Sequence, residues 1–279
     1  GLAKLGKPCP HKWDHRNTFP LTNWCDKQGI NLVVVGPEAP LAEGIVDSLR
    51  TERRQVFGPS KAGAKLESDK SFAKELMKQA AIPTADSRTL TSANTARRWV
   101  LRCLEAELAG ATPVEGIEEL VYWIATSDNR VEDKMPPLTD AVRGWLAQRD
   151  EPLVIKAAGL AGGKGVVICK TTLEAIDAIE LIMVDRAYGE AGDRIIIEEF
   201  LQGQEVSILA LVDGKTMWVL DPCQDHKQVG EGDVGPNTGG MGAYCPAPMI
   251  DEPLLAEIEK AILLPMLDAI RRRDIDYRG

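Results

Sequence analysis

Apolar positions near the N-terminus come as short unbroken runs, each followed by a stretch with helical spacing. Asn31 to Val35 (Asn-Leu-Val-Val-Val) reads as a buried strand closed by Gly36, Pro37 and Glu38, with a helix from about Leu41 to Glu52 behind it. Gln55-Val56-Phe57 before Gly58-Pro59-Ser60 reads as the next strand. Ser68 then caps a helix to about Ala80, with Phe72, Leu76 and Met77 on one face. Strands alternating with helices predict a parallel α/β layer, whose ligands sit beyond the carboxyl ends of the strands, where both Gly-Pro turns fall. The spacing alone is equally compatible with ordinary turns.

From 95 to 148 the period is helical: Trp99, Cys103 and Leu104, then Ile117, Leu120, Val121 and Ile124, then Ala141, Val142, Trp145 and Leu146. Such stripes are core faces, and no chemistry is assigned to them. The pattern then changes to β-like runs, Pro152 to Lys156 and Val166 to Lys170, on either side of a glycine-rich loop. Thr171 with Glu174 has the capping-box spacing and opens a helix through about Val184. Arg194 to Phe200, Val206 to Val212 and Thr216 to Leu220 read as further strands, the last two joined by Asp213-Gly214. This middle region is predicted to be α+β and mostly antiparallel. A polar, Gly-rich loop segment runs from Leu220 to about Tyr244. A helix follows from about Asp251 to Arg273, kinked at Pro265, with Arg271 to Arg273 suiting its negative end.

Composition narrows the classes. A length of 279 residues is enough for about two domains. No apolar run approaches the roughly 18 to 20 residues of a membrane span. Lys plus Arg at 33 against Asp plus Glu at 42 gives a net charge of −9, the wrong sign for a nucleic-acid binder. The six cysteines are scattered without a Cys-x-x-Cys pair, which predicts reduced thiols and a cytoplasmic location. The N-terminus has no signal pattern and no initiator Met, and the chain is read as a fragment.

The strongest chemical signal is Lys156-Ala-Ala-Gly-Leu-Ala-Gly-Gly-Lys-Gly165. Its glycines let backbone amides approach a polyphosphate, and its lysines supply charge against it. A Walker A loop would need one more residue between its first glycine and its Gly-Lys, a hydroxyl residue where Gly165 stands, and a helix rather than a strand afterwards. A dinucleotide fingerprint is absent too. The alternative is a plain glycine hairpin with a solvent-facing lysine. Further on, Ile197-Glu-Glu-Phe-Leu201 ends a strand before Gly203-Gln-Glu205, an edge whose backbone groups and carboxylates suit a base and a ribose. A third cluster, Gln224-Asp-His-Lys227 with Gly235-Pro-Asn-Thr-Gly-Gly-Met-Gly242, offers amides, side-chain donors and an Asp/Lys pair suited to a small zwitterion or phosphate. Cys9, His11, His15 and Cys25 have irregular spacing, and no metal site is assigned to them.

Together with Asn31-Leu-Val-Val-Val-Gly-Pro-Glu-Ala-Pro-Leu41 and Asp233 to Tyr244, these motifs resemble the phosphoribosylamine-glycine ligase family, also called glycinamide ribonucleotide synthetases, of the ATP-grasp superfamily. The resemblance covers most of residues 30 to 94 and 150 to 279. It implies an ATP-grasp fold with a partial Rossmann-like parallel α/β domain. The implied organisation is a partial N-terminal domain at 1–94, a helical insertion and linker at 95–149, a lid subdomain at 150–201 and a truncated central subdomain at 202–279.

The implied reaction joins glycine and 5-phosphoribosylamine through a glycyl phosphate, giving glycinamide ribonucleotide, ADP and phosphate, with ATP and Mg²⁺ or Mn²⁺. The partners implied are small molecules, with no nucleic acid and no membrane, and the oligomeric state is left open. By position in the motifs, Lys70 and Lys156 neutralise ATP phosphates under a lid of Gly159, Gly162, Gly163, Lys164 and Gly165. Glu198 with Glu199, Phe200 and Leu201 reads adenine, and Glu205 takes the ribose. Asp225 and Lys227 with Pro236, Asn237, Thr238, Gly239, Gly240, Met241 and Gly242 hold glycine and phosphoribosylamine, helped by Gly36, Pro37 and Glu38. Lys156, Asp225, Lys227 and Asn237 carry the catalysis. Three departures stand out. Ala158 replaces the family's usual Asp, residues 103 to about 140 look like a lineage-specific insertion, and the family's opening strand and Mg²⁺-binding Glu and Asn are expected outside residues 1 to 279. Two other readings are another ATP-grasp carboxylate-amine ligase and a nucleotide-binding module without turnover.

Overall fold

The computed structural model describes residues 6–104, 107–108, 114–126, 134–232 and 234–279. The predicted insertion therefore lies partly outside the described residues. In chain order the elements are α1 (Phe19–Lys27), β1 (Leu32–Val34), α2 (Glu38–Glu43), α3 (Ile45–Leu49), β2 (Gln55–Phe57), α4 (Lys65–Ser68), α5 (Lys70–Gln79), β3 (Ser87–Leu90), α6 (Ala93–Arg102), α7 (Ile117–Thr126), α8 (Asp140–Leu146), β4 (Asp150–Ala157), β5 (Val166–Thr171) and α9 (Thr172–Ile179). There follow β6 (Ile195–Glu199), β7 (Ala210–Asp213), β8 (Thr216–Val219), β9 (Gln224–Gly230), β10 (Val234–Tyr244), α10 (Glu252–Ile258) and α11 (Leu264–Arg272). The chain forms two units, one of Gly1–Ser68, Glu75–Pro83 and Glu205–Gly279, the other of Asp69–Lys74 and Thr84–Gln204.

The second unit is built on a four-stranded sheet in the order β3-β6-β4-β5, every pair antiparallel. Strand β6 reads Ile-Ile-Ile-Glu-Glu because it is a central strand, and Ile195, Ile196 and Ile197 are all buried. One core joins this sheet to Ala96 and Val100 of α6 and to Ala175, Ala178 and Ile179 of α9. A second core gathers Leu101, Leu120, Ile124, Val142 and Leu146 from α6, α7 and α8, as the helical stripes predict. Cys103, placed on such a stripe by its spacing, is exposed. The capping box opens α9 as expected on one side, Glu174 N–H donating to Thr171 Oγ1 (3.3 Å). The Glu174 carboxylate, however, accepts from Lys170 N rather than from the cap itself (2.6 Å). A π-helical turn over Glu180–Val184 completes this helix where the sequence predicts its end.

In the first unit β1 and β2 pair in parallel, Val33 opposite Val56, and Ile45, Val46, Leu49 and Val56 form the core beside them. The single helix expected over 41–52 is instead two, because Gly44 turns left-handed (φ +94°) between α2 and α3. The helix expected from a Ser68 cap is capped by Asp69, whose carboxylate accepts from the N–H groups of Ser71 (3.1 Å) and Phe72 (3.2 Å). Of the strand expected over 206–212 only Ala210–Asp213 is strand. Its hairpin turns one residue later than read, with Thr216 opposite Asp213 and Gly214 at φ +58°. The loop expected between Leu220 and Tyr244 is an antiparallel hairpin of β9 and β10. A π-turn over Glu259–Leu263 stands between α10 and α11, so Pro265 falls at the start of α11, where its missing N–H leaves no gap. Gly58 N–H donates to Arg278 O (2.7 Å), Val212 and Gly279 exchange backbone hydrogen bonds, and Arg50 pairs with Asp276.

Candidate functional site

Antiparallel pairing of β4 and β6 sets Lys156 opposite Ile196 and Val154 opposite Glu198, which puts Lys156 and Glu198 on one face as diagonal neighbours. Lys156 Nζ donates to Glu198 Oε2 at 2.7 Å. Glu198 is only 5% exposed, and a carboxylate that deep needs a charged partner. It has two, since Lys74 Nζ lies 3.3 Å from Oε1. Lys74 lies one helical turn after Lys70 and is not among the residues the sequence motifs point to. Lys70 Nζ donates to the carbonyls of Ala157 (3.1 Å) and Gly159 (3.0 Å), and its backbone N–H to Ala158 O (2.9 Å). In this state Lys70 clasps the first residues of the glycine loop. Asp69, which starts that helix, is pushed up by burial. Its hydrogen bond from Arg194, the Phe72 N–H, the Arg194 charge and the Ser71 N–H outweigh this and hold its carboxyl below the usual range.

The loop's glycines serve two purposes. Gly162 and Gly163 adopt left-handed backbone (φ +58° and +76°) with open space where a side chain would be. Gly159 and Gly165 are needed for close approach, because a Cβ would stand 2.8 Å from Ala191 Cα and 2.5 Å from Ala161 Cβ respectively. Lys164 is exposed beside them. Ala158 is buried and held through its backbone, its N–H donating to Arg194 O (2.9 Å). Glu199 is tied to the chain before β3, its N–H donating to Asp86 O (3.1 Å) and its Oε1 accepting from Asp86 N (2.8 Å). Phe200 and Leu201 are exposed just beyond, while Glu205 is exposed in the other unit.

In that unit the β9–β10 hairpin splits Gln224-Asp-His-Lys227 between two faces. Asp225 and Lys227 share one face, Nζ to Oδ2 3.6 Å, while Gln224 and His226 share the other with Tyr244. Two register shifts over Val234–Gly242 let Thr238 Oγ1 donate to Lys227 O (2.8 Å) and accept from Gly240 N (3.1 Å). Gly240 (φ +115°) lies so close to Asp225 that a Cβ would be 3.3 Å from Oδ1. Asp225, Lys227, Thr238 and Gly240 thus come together, with Gly239, Met241 and Gly242 exposed along the same strand. Asn237 pairs through its backbone with Gln228, and the side chains of Pro236 and Asn237 lie outside the described part. Gly36, Pro37 and Glu38 follow the carboxyl end of β1 as predicted. Glu38 borders a cavity of about 230 Å³ with Leu41, Pro59 and Tyr277.

Among the described residues no group of three or more His, Cys, Asp or Glu could hold a metal ion. The N-terminal set is apart: Cys9 Sγ donates to His11 O (3.4 Å), His15 faces Glu43 at 3.8 Å and Cys25 is buried. No described helix is long and apolar enough to cross a membrane.

An antiparallel sheet whose glycine loop lies next to a buried lysine–glutamate pair is the ATP-grasp arrangement. Biotin carboxylase from Campylobacter jejuni has this fold at 15% identity and a TM-score of 0.59, over 94% of this chain and 47% of that one. The chain belongs to the phosphoribosylglycinamide synthetase family, matching its ATP-grasp (A) domain over residues 124–279 and its N domain over residues 1–67. It is 43% identical over 253 residues to a phosphoribosylamine–glycine ligase of Rhodopirellula baltica, covering 91% of this chain and 49% of the relative. It is 41% identical over 259 residues to the human trifunctional purine biosynthetic protein adenosine-3, covering 93% of this chain and 21% of the relative. The crystal structure of the Thermotoga maritima phosphoribosylamine–glycine ligase matches with a TM-score of 0.62 at 27% identity, over 96% of this chain and 53% of that one. The chain spans about half the length of the curated phosphoribosylamine–glycine ligases it matches.

Proposed function

We propose that this chain carries the nucleotide- and substrate-holding part of an ATP-dependent ligase that joins glycine to 5-phosphoribosylamine. A carboxylate is a poor electrophile until one oxygen becomes a phosphate leaving group. Phosphoryl transfer of this kind depends on positioning and charge neutralisation more than on a protein nucleophile. The observation that carries the reading is Glu198, buried and held by Lys156, beside a loop whose Gly162 and Gly163 leave their backbone open. In the proposal Glu198 and the strand end at Glu199, Phe200 and Leu201 receive the adenine, and Glu205 the ribose. Lys156, Lys164 and, once released from its carbonyls, Lys70 face the phosphates. Asp225, Lys227, Asn237, Thr238 and Gly240 hold the amino acid and the phosphorylated amine, with Gly36 to Glu38 contributing from the parallel layer.

The family implies a divalent cation with ATP, which we take as Mg²⁺ or Mn²⁺. No step here is assigned to it, because the described residues hold no cluster that fits one. The lid and central roles assigned to 150–201 and 202–279 belong to the same proposal. So does a cytoplasmic location, which the six free thiols support.

The test is ADP release by the protein at the full length of its relatives, omitting glycine and 5-phosphoribosylamine one at a time. Release should require both. Release with a different acid or amine, or nucleotide binding with no release under any combination, would reject the ligase assignment.

A further inference from the structure

Two ammonium groups share the Glu198 carboxylate, and they are held differently. Lys74 Nζ is 3.3 Å from Glu198 Oε1 and also donates to Thr84 Oγ1 (2.7 Å) and Ala85 O (3.0 Å), so its three N–H donors are all engaged. Its side chain is 12% exposed. Lys156 reaches Oε2 at 2.7 Å and, among the described residues, has no second hydrogen-bond acceptor. Its side chain is 27% exposed. Moving Lys74 strands three acceptors, whereas moving Lys156 strands half of one carboxylate.

We infer that Lys74 is the fixed counter-ion of Glu198 and Lys156 the exchangeable one, which makes Lys74 a positioning residue for nucleotide binding. The inference rests on the nucleotide reading above. An ionised carboxylate has about four lone-pair sites, so two ammonium groups leave room for an exocyclic amine N–H of the base. When Lys156 turns to a phosphate, Glu198 keeps Lys74 and is not left as an unpaired buried charge, a loss that would otherwise be subtracted from nucleotide affinity. Without Lys74, Lys156 and Glu198 would hold each other, and base reading and phosphate binding would fail together. An acceptor at Glu198 also favours the amine of adenine over the keto oxygen of guanine.

Calorimetric titration of ATP and GTP into the full-length protein tests this directly, without turnover. Lys74→Met should weaken ATP by about tenfold or more and narrow the preference over GTP, and Lys74→Arg should keep most of both. Lys74→Met combined with Glu198→Gln should bind ATP no more weakly than Glu198→Gln alone, because residues acting through one group are not additive. The double variant strands no buried carboxylate, and the Lys156 ammonium it releases is 27% exposed, so it also decides the matter should Lys74→Met fail to fold. Wild-type affinity in Lys74→Met, or a further tenfold loss in the double variant, would overturn the inference. A wild-type protein that binds neither nucleotide would remove it together with the nucleotide reading. Lys74-dependent binding without glycine-dependent ADP release would support it and remove only the ligase assignment.

Discussion

A carboxylate as buried as Glu198 stands or falls with its partners, and this makes Lys156 separable into two effects. Lys156→Ala leaves Lys74 in place, so the fold should survive with a stability loss of about 1–3 kcal/mol in urea unfolding. ATP affinity should fall by at least about tenfold, and ADP release should disappear. Near-normal nucleotide affinity in that variant would take Lys156 out of the site. Asp69 offers a pH-dependent counterpart. Its folded carboxyl is held below the ordinary range, so its contribution is fully present above the unfolded value near ~4 and is lost as pH falls through the lower folded one. Asn also caps helices, so Asp69→Asn removes the charge and the Arg194 ion pair while keeping a cap. The wild type should be the more stable at pH 6, and the gap should close towards pH 3. A gap that stays constant would show that the Arg194 pair contributes nothing.

The glycine loop between β4 and β5 separates two kinds of glycine by experiment. Gly159→Ala drives a methyl against the Ala191 backbone and should cost about 1–3 kcal/mol, because overpacking against backbone finds no flexible group to move. Gly162→Ala meets open space and should cost about 1 kcal/mol, for its left-handed φ alone. Equal costs by thermal unfolding would mean that close approach is not what holds the loop's base.

The same loop shows what a sequence can reveal. Its flanking strands announce themselves because β4 and β5 are apolar runs, and β6 is Ile-rich because it is covered on both faces. Strand β3 (Ser-Arg-Thr-Leu) is missed because its residues before Leu90 are polar and only Leu90 is buried, whereas β5, the sheet's other edge, is apolar. The β9–β10 hairpin reads as loop because its glycines follow register shifts and not alternation. Motif spacing finds Lys156 and Glu198, which pair across the sheet. Lys74 meets them only through tertiary packing, and no local pattern ties position 74 to position 198.

Across the molecule the two units are interleaved in sequence, not consecutive. The first unit's opening stretch is completed by residues 276–278, through Gly58 with Arg278, Ser60 with Asp276 and Arg50 with Asp276. The second unit takes its sheet and both helical cores from 84–204, together with Asp69–Lys74. At roughly 5–20 residues per second, a ribosome needs on the order of 10–40 s to pass from the first stretch to its late partners. During that interval the second unit can already be folded. Nascent chains stalled after Gln204 should show protease-resistant 84–204 and readily cleaved 6–68, and equal resistance of both would contradict this order. Translation speed over residues 205–279 thus governs how long Arg50, Gly58 and Ser60 wait for their late partners, and it is there that a chaperone or a slow codon would act on the yield of this protein.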